Sequence, residues 1–192
     1  MRSRTRLAGA SNRHGPADAI TRLSCVTTDQ KGAIAEACIA AAAIKLGIGV
    51  FRPMGDERYD LIFDVRPTLL RVQCKWVALR KGVLTVFCVS SRRAAEGFRR
   101  RTYSAEEVDA IAAYCLELDR CFLIPIGLVA DRPSIGLRVD PSRNNQRQGI
   151  NWADDFDFAA RLKQPQGAVA QLGERPDGIR EVRGSIPLGS ID

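Results

Sequence analysis

The stretch from Tyr59 to Val77 limits the fold more than any other part of the chain. Tyr59–Val65 reads YDLIFDV and Leu69–Val77 reads LLRVQCKWV. Both runs are apolar and partly β-branched, the composition of strands. Only Arg66, Pro67 and Thr68 separate them, which suits a hairpin connection. Two neighbouring antiparallel strands follow, with side chains two residues apart on one face. Asp60 opens the first strand. Gln73 and Lys75 lie two apart on the second, so the hairpin can set Asp60 across from both.

The rest of the chain supplies elements around that hairpin. Lys31–Leu46 carries Ile34, Cys38 and Ala41 or Ala42 at helical spacing, stops at Gly47, and includes Glu36. Gly49–Arg52 is a short strand ended by Pro53. Val83–Val89 is another, after a turn at Lys81 and Gly82. Ser90–Thr102 is Arg-rich and reads as irregular. Ser104 and Glu107 have capping-box spacing, and Val108, Ile111, Ala112, Cys115 and Leu118 form a stripe. This predicts a second helix from Ser104 to about Leu118. Cys121–Ile126 is a strand in which Pro125 marks an edge or an end. Ile135–Val139 closes the series. The order describes an α+β (α/β) chain, a mixed β-sheet flanked by helices. Residues 1–27 are expected to be a flexible extension, 28–158 the folded domain, and 159–192 a disordered tail.

Composition removes several functions. At 192 residues the chain suits one domain with a sizeable core. Its net charge of +7 favours a polyanionic partner such as nucleic acid. No apolar run is long enough for a bilayer, so no membrane association is expected. Met1–Asn12 is basic but lacks the apolar segment of a secretory signal. No two of the six cysteines form a C-x-x-C pair, and His14 is the one histidine, which argues against structural zinc and histidine-dependent hydrolysis. Cysteines inside apolar runs fit a reducing compartment.

A carboxylate at a strand start, an amide and a lysine beside it, and a second carboxylate on the covering helix make a site for a hard divalent cation. Asp60 would bind Mg²⁺ directly, with Mn²⁺ as a substitute. Glu36, the Gln73 side-chain oxygen, the Cys74 main-chain carbonyl, water and the scissile phosphate would complete the oxygen shell. Lys75 would serve the attacking water and the phosphate charge. The plainer reading makes Asp60 a turn cap and Lys75 a solvated strand residue. Arg92, Arg93, Arg99, Arg100 and Arg101 are candidates for backbone phosphate contacts, or else a solvated loop. Asn144, Asn145 and Gln146 carry amides able to read adenine edges, or to cap a turn.

Asp60, twelve further residues and Gln73-Cys74-Lys75 together resemble the PD-(D/E)XK nuclease motif, with Gln in place of the usual acid. More closely, the chain resembles the PD-(D/E)XK homing endonucleases associated with bacterial group I introns. The blocks that carry this are Lys31-Gly32 with Glu36, Tyr59-Asp60-Leu61, Arg71 to Lys75, Arg101-Thr102-Tyr103, Val108-Asp109, Leu123 to Ile126, Leu137-Arg138 with Asn144-Asn145-Gln146, and Ile150 to Phe156. The resemblance implies a restriction-endonuclease-like core and site-specific cleavage of duplex DNA. It also implies a homo-oligomer, dimer or tetramer, working in the bacterial cytoplasm at the nucleoid. Gln73 departs from the wider motif, and an amide holds Mg²⁺ less tightly than a carboxylate. A junction-resolving or repair nuclease of the same fold, and a catalytically inactive DNA-binding protein, remain alternatives. The tail from Val169 to Pro187 resembles conceptual translation of a tRNA gene, which would make it reading-frame run-through.

Overall fold

The structure is a computed structural model that describes residues 26–94, 97–141 and 149–163. The first 25 residues, most of the tail, and Asn144, Asn145 and Gln146 lie outside those residues.

Helix α1 (Thr28–Lys45) begins three residues before the expected Lys31, behind a cap at Thr27. Thr27 Oγ1 accepts from the Gln30 N–H at 3.2 Å, and Gln30 Oε1 accepts from the Thr27 N–H at 2.9 Å. This reciprocal pair satisfies two otherwise open amides of the first turn. The helix ends before Gly47, which takes a left-handed φ of 78°. Ala35, Ile39 and Ala43, four apart, are fully buried. Two of these three are alanines, so the helix lies close against the sheet beneath it.

That sheet has five strands in the order β1 (Gly49–Phe51), β2 (Leu61–Val65), β3 (Thr68–Val77), β8 (Ala110–Cys115) and β9 (Arg120–Pro125). Neighbours are antiparallel except β3 and β8, which run parallel. The sheet is therefore mixed, as the sequence suggests. Pro125 is the last residue of an edge strand, where its missing N–H costs no ladder bond.

α1 covers one face, on Leu61, Phe63, Val72, Cys74, Ala110, Ala112 and Tyr114. Helix α2 (Phe158–Lys163) joins it there, and the Phe158 ring meets Phe63 edge-on at 5.9 Å. The packed chain thus continues to Lys163, past the expected boundary at 158. The opposite face is covered by strands and not by a helix. β5 (Val83–Phe87), between β10 (Ser134–Arg138) and β4 (Leu79–Arg80), forms a second sheet. Leu84, Val86, Ile135 and Leu137 from it pack on Val77, Ile111, Ala113, Cys115, Phe122 and Ile124. Lys81 and Gly82, both at positive φ, make the tight turn between β4 and β5.

The predicted second helix is the main correction. One helical turn does form: the Val108 N–H reaches the Ser104 carbonyl at 3.1 Å, and Glu107 Oε2 lies 3.4 Å from the Ser104 N–H. Asp109 then takes the chain elsewhere. Its carboxylate accepts from the Arg71 N–H at 2.7 Å, Nε at 3.0 Å and Nη2 at 2.8 Å, and its own N–H reaches the Arg71 carbonyl. The chain continues as β8, and all six of its residues are buried. A strand covered on both faces is apolar at every position, so AIAAYC carries no period to tell it from a helix. The arginine segment is also regular. β6 (Val89–Ala94) and β7 (Gly97–Thr102) pair as an antiparallel ribbon, with Arg92 opposite Arg99.

Ala113 distinguishes the two readings of this segment. It stands off the helical stripe but is fully buried in the strand. Ala113→Lys is expected to destabilise the protein by roughly 4 kcal/mol or more in urea unfolding, since a buried ammonium loses several pKa units. A change within about 0.5 kcal/mol, typical of a surface site, would contradict the strand assignment.

Candidate active site

The ladder between β2 and β3 stops beside Asp60. Leu61 pairs with Val72, and the Asp60 N–H still donates to the Val72 carbonyl at 3.0 Å. Further along, β3 runs on to Val77 without β2 beside it. Backbone groups alternate sides along a strand, so the Cys74 N–H points the same way as the Val72 carbonyl. It meets the Asp60 side chain, donating to Oδ2 at 2.7 Å. Gln73 Nε2 donates to the same oxygen at 2.5 Å. Among the described residues, both hydrogen bonds to this carboxylate fall on Oδ2.

Gln73 therefore turns its donor end toward Asp60, whereas the sequence reading gave its oxygen to a metal. Its Nε2 is also 3.3 Å from the Cys74 carbonyl. A carboxylate and a carbonyl both call for a donor, and only the amide nitrogen supplies one.

Lys75 approaches from the face that carries the second sheet. Its Nζ donates to the Val89 carbonyl at 3.2 Å and to the Tyr103 hydroxyl at 3.0 Å. Burial pushes the Lys75 ammonium below its ordinary range, and the charge of Asp60 pulls partly back. Asp60 is raised, first by its own burial, against the pull of the Cys74 N–H and Lys75.

Glu36 arrives from the other side. It projects from α1, which packs on the Val72 and Cys74 face, and it forms an ion pair with Arg52 just beyond β1. Burial raises its carboxyl, and the nearby Asp60 raises it further. The side chains therefore come from both faces of the sheet, Glu36 from the α1 side and Lys75 from the side of the second sheet. β3 is the middle strand of five. At the gap before Leu61 the charges of Glu36 and Lys75 act on Asp60 from the two faces.

The residues fit a divalent cation. Two carboxylates that each resist ionisation gain from a shared positive charge, and the Cys74 carbonyl opens into the same gap. Among the described residues no three Cys, His, Asp or Glu side chains cluster as a ligand set. An ion here would lean on water and phosphate oxygens for the rest of its shell, as Mg²⁺ commonly does.

The arginines are placed on the β6–β7 ribbon, whose root is Val89 and Thr102. Arg100 is exposed, and the mostly exposed Arg101 pairs with Glu107. Three residues near the site had no role in the sequence reading beyond packing. Arg52 pairs with Glu36. Arg58 donates to Ser90 Oγ and to the Thr102 carbonyl. Tyr103 accepts from Lys75. An arginine two residues before Asp60 was the available signal for Arg58.

Comparison with known proteins places the fold. A model of the PD-(D/E)XK endonuclease family matches residues 26–159. The chain belongs to that family. The solved structure of a bacterial homing endonuclease, I-Ssp6803I, is similar over 76% of this chain and 98% of that one, at 28% identity and a TM-score of 0.59. Among proteins of curated function, none matches. The fold is thus that of a PD-(D/E)XK nuclease. No described helix is long and apolar enough to cross a membrane.

A raised carboxyl has a cost in the metal-free protein. Because the folded value for Asp60 lies above the unfolded one, the ionised group destabilises the fold. The cost is absent below the ordinary carboxylate range and complete once the pH passes the folded value. Asp60→Asn is therefore expected to melt a few degrees higher than the wild type at neutral pH in chelator, with the gap shrinking toward about pH 4. A gap that stays constant on acidification would contradict the burial assigned to Asp60.

Proposed function

We propose that the chain is a Mg²⁺-dependent endonuclease that cuts duplex DNA at specific sites, as a homing enzyme of a group I intron. One observation carries the reading: the Asp60 carboxylate sits in the gap just before β2, held by the Cys74 N–H and the Gln73 amide, with the charges of Glu36 and Lys75 acting on it from opposite sides. The likeness to a bacterial homing endonuclease supports the finer part of the reading.

Asp60, Glu36 and the Cys74 carbonyl would hold the ion. Gln73 would join through its side-chain oxygen if its amide turned over, a rotation about a soft terminal torsion. The bound ion would supply Lewis acidity and an activated water. Lys75 places positive charge beside the site, where it orients the water and offsets charge growing on the phosphate oxygens. The ribbon arginines Arg92, Arg93, Arg99, Arg100 and Arg101 contact backbone phosphates. Asn144 and Asn145 contribute to DNA contact. The enzyme works as a dimer or tetramer in the bacterial cytoplasm, at the nucleoid.

Cleavage of a plasmid library with Mg²⁺ or Mn²⁺ tests this. Recurrent cuts at one long sequence are expected. Cuts confined to branched junctions would favour a resolving nuclease, and no cuts would favour an inactive DNA-binding protein. On the recovered duplex, Asp60→Asn and Lys75→Ala should each lose at least roughly a hundredfold in rate, while metal-free binding survives. Gln73→Ala should lose most activity. Gln73→Glu, which restores the acid of the wider motif, should retain cleavage with an altered Mg²⁺ to Mn²⁺ preference. Wild-type rates in both Asp60→Asn and Lys75→Ala would show the active site to be elsewhere.

Neutralising Arg100 and Arg101 together should weaken binding to all duplexes alike and flatten the salt dependence by about two phosphate contacts. An altered sequence preference at unchanged affinity would reject the phosphate assignment.

A further inference from the structure

We propose that Tyr103 is a positioning residue for Lys75, acting through its hydroxyl, with Arg58 fixing the ring. The proposal rests on the reading of Lys75 as a residue of the active site, and it assigns a role to a tyrosine that packing alone does not explain.

The Tyr103 ring is 2% exposed. It lies among the residues of the second core, together with Cys88, Val108 and Ile135. Had it been there only to fill space, phenylalanine would serve as well, and a buried hydroxyl would need some partner to offset its desolvation. Its partner is Lys75, whose Nζ lies 3.0 Å from the hydroxyl oxygen. Burial pushes the Tyr103 hydroxyl up to about 12, so it stays neutral and accepts from the ammonium.

Two cations share this ring. Lys75 Nζ is 5.0 Å and Arg58 Cζ 4.5 Å from its centroid. Arg58 is itself tied down. It donates to Ser90 Oγ and, at 3.0 Å, to the Thr102 carbonyl, and its Nε is 3.4 Å from a Glu107 carboxylate oxygen. Ser90 and Thr102 belong to the two strands of the arginine ribbon, and Tyr103 follows the second of them directly. The Arg58 guanidinium thus locks the ribbon root and the ring in one arrangement.

An ammonium on a four-carbon stem has many rotamers and three donors. Val89 and Tyr103 take two of the donors, and both acceptors stand at the ribbon root. One donor is left for the water or the phosphate. The lysine is fixed before substrate arrives, which removes an ordering cost from the reaction.

The test uses Tyr103→Phe, which keeps the ring and removes only the hydroxyl. Tyr114→Phe is the control. Tyr114 is also buried, but on the α1 face of the sheet, and its hydroxyl bonds Asp119 at 3.0 Å. On the duplex cut by the wild type, single-turnover cleavage by Tyr103→Phe should fall roughly tenfold at unchanged duplex affinity and unfolding midpoint. It should cause no further loss in a Lys75→Met background. Tyr114→Phe should cut normally. In parallel, ¹⁵N NMR of lysine-labelled protein without DNA should show a protected ammonium signal, absent in Lys75→Met and shifted or broadened in Tyr103→Phe. Wild-type cleavage by Tyr103→Phe, or an unchanged ammonium signal, would overturn the proposal. If Lys75→Met itself cut normally, the active-site reading would fail, and the ammonium signal would still decide whether Tyr103 holds the lysine.

Discussion

The site depends on one hydrogen bond, from the Cys74 N–H to Asp60 Oδ2. β3 is ten residues long and β2 only five, so part of the β3 backbone has no partner on that side. A buried amide without an acceptor is costly, and the carboxylate of Asp60 answers it. The same contact fixes the carboxylate beside the Cys74 carbonyl, the Gln73 amide and Lys75. It also explains why the carboxylate can be held in a place where burial opposes its charge. Mismatched strand lengths thus make the opening, and backbone satisfaction sets the acidic group within it.

Around that contact the sheet keeps its two faces distinct. α1 brings Glu36 from one side, and the second sheet with its arginine ribbon brings Lys75's acceptors from the other. The two faces meet at the gap, where Asp60 is raised by burial and Glu36 feels its charge. The Arg71–Asp109 pair supports the arrangement from below. It carries the chain from the ribbon into β8 and so places β8 parallel to β3. Site and scaffold are therefore built from the same few polar contacts, set into two apolar cores.

Much of this was legible in the sequence. The hairpin followed from two apolar runs and a three-residue link, and the alternation of Gln73 and Lys75 on β3 followed from strand geometry. The stop at Gly47 bounded α1 at its C-terminal end, whereas its start at Thr28, capped by Thr27, lies three residues before the expected Lys31. β8 was not legible, because AIAAYC is buried on both faces and the preceding Ser104-x-x-Glu107 does start one helical turn. What redirects the chain is Asp109 meeting Arg71, 38 positions away, which no local pattern announces. The ribbon was missed because five arginines among its twelve strand residues hide any alternation of apolar and polar positions. At the site, residue types and spacing pointed to Asp60 and Lys75. The orientation of the Gln73 amide and the part played by Arg58 and Tyr103 needed three-dimensional contacts.

The most direct test is an anomalous difference map from crystals of the protein with duplex DNA and Mn²⁺. The account expects a peak in contact with an Asp60 carboxylate oxygen and the Cys74 carbonyl, with Glu36 close by and Lys75 facing the phosphate. A strong Mn²⁺ peak at a phosphate coordinated by other side chains, with the Asp60 carboxylate still bound only to Cys74 and Gln73, would contradict it.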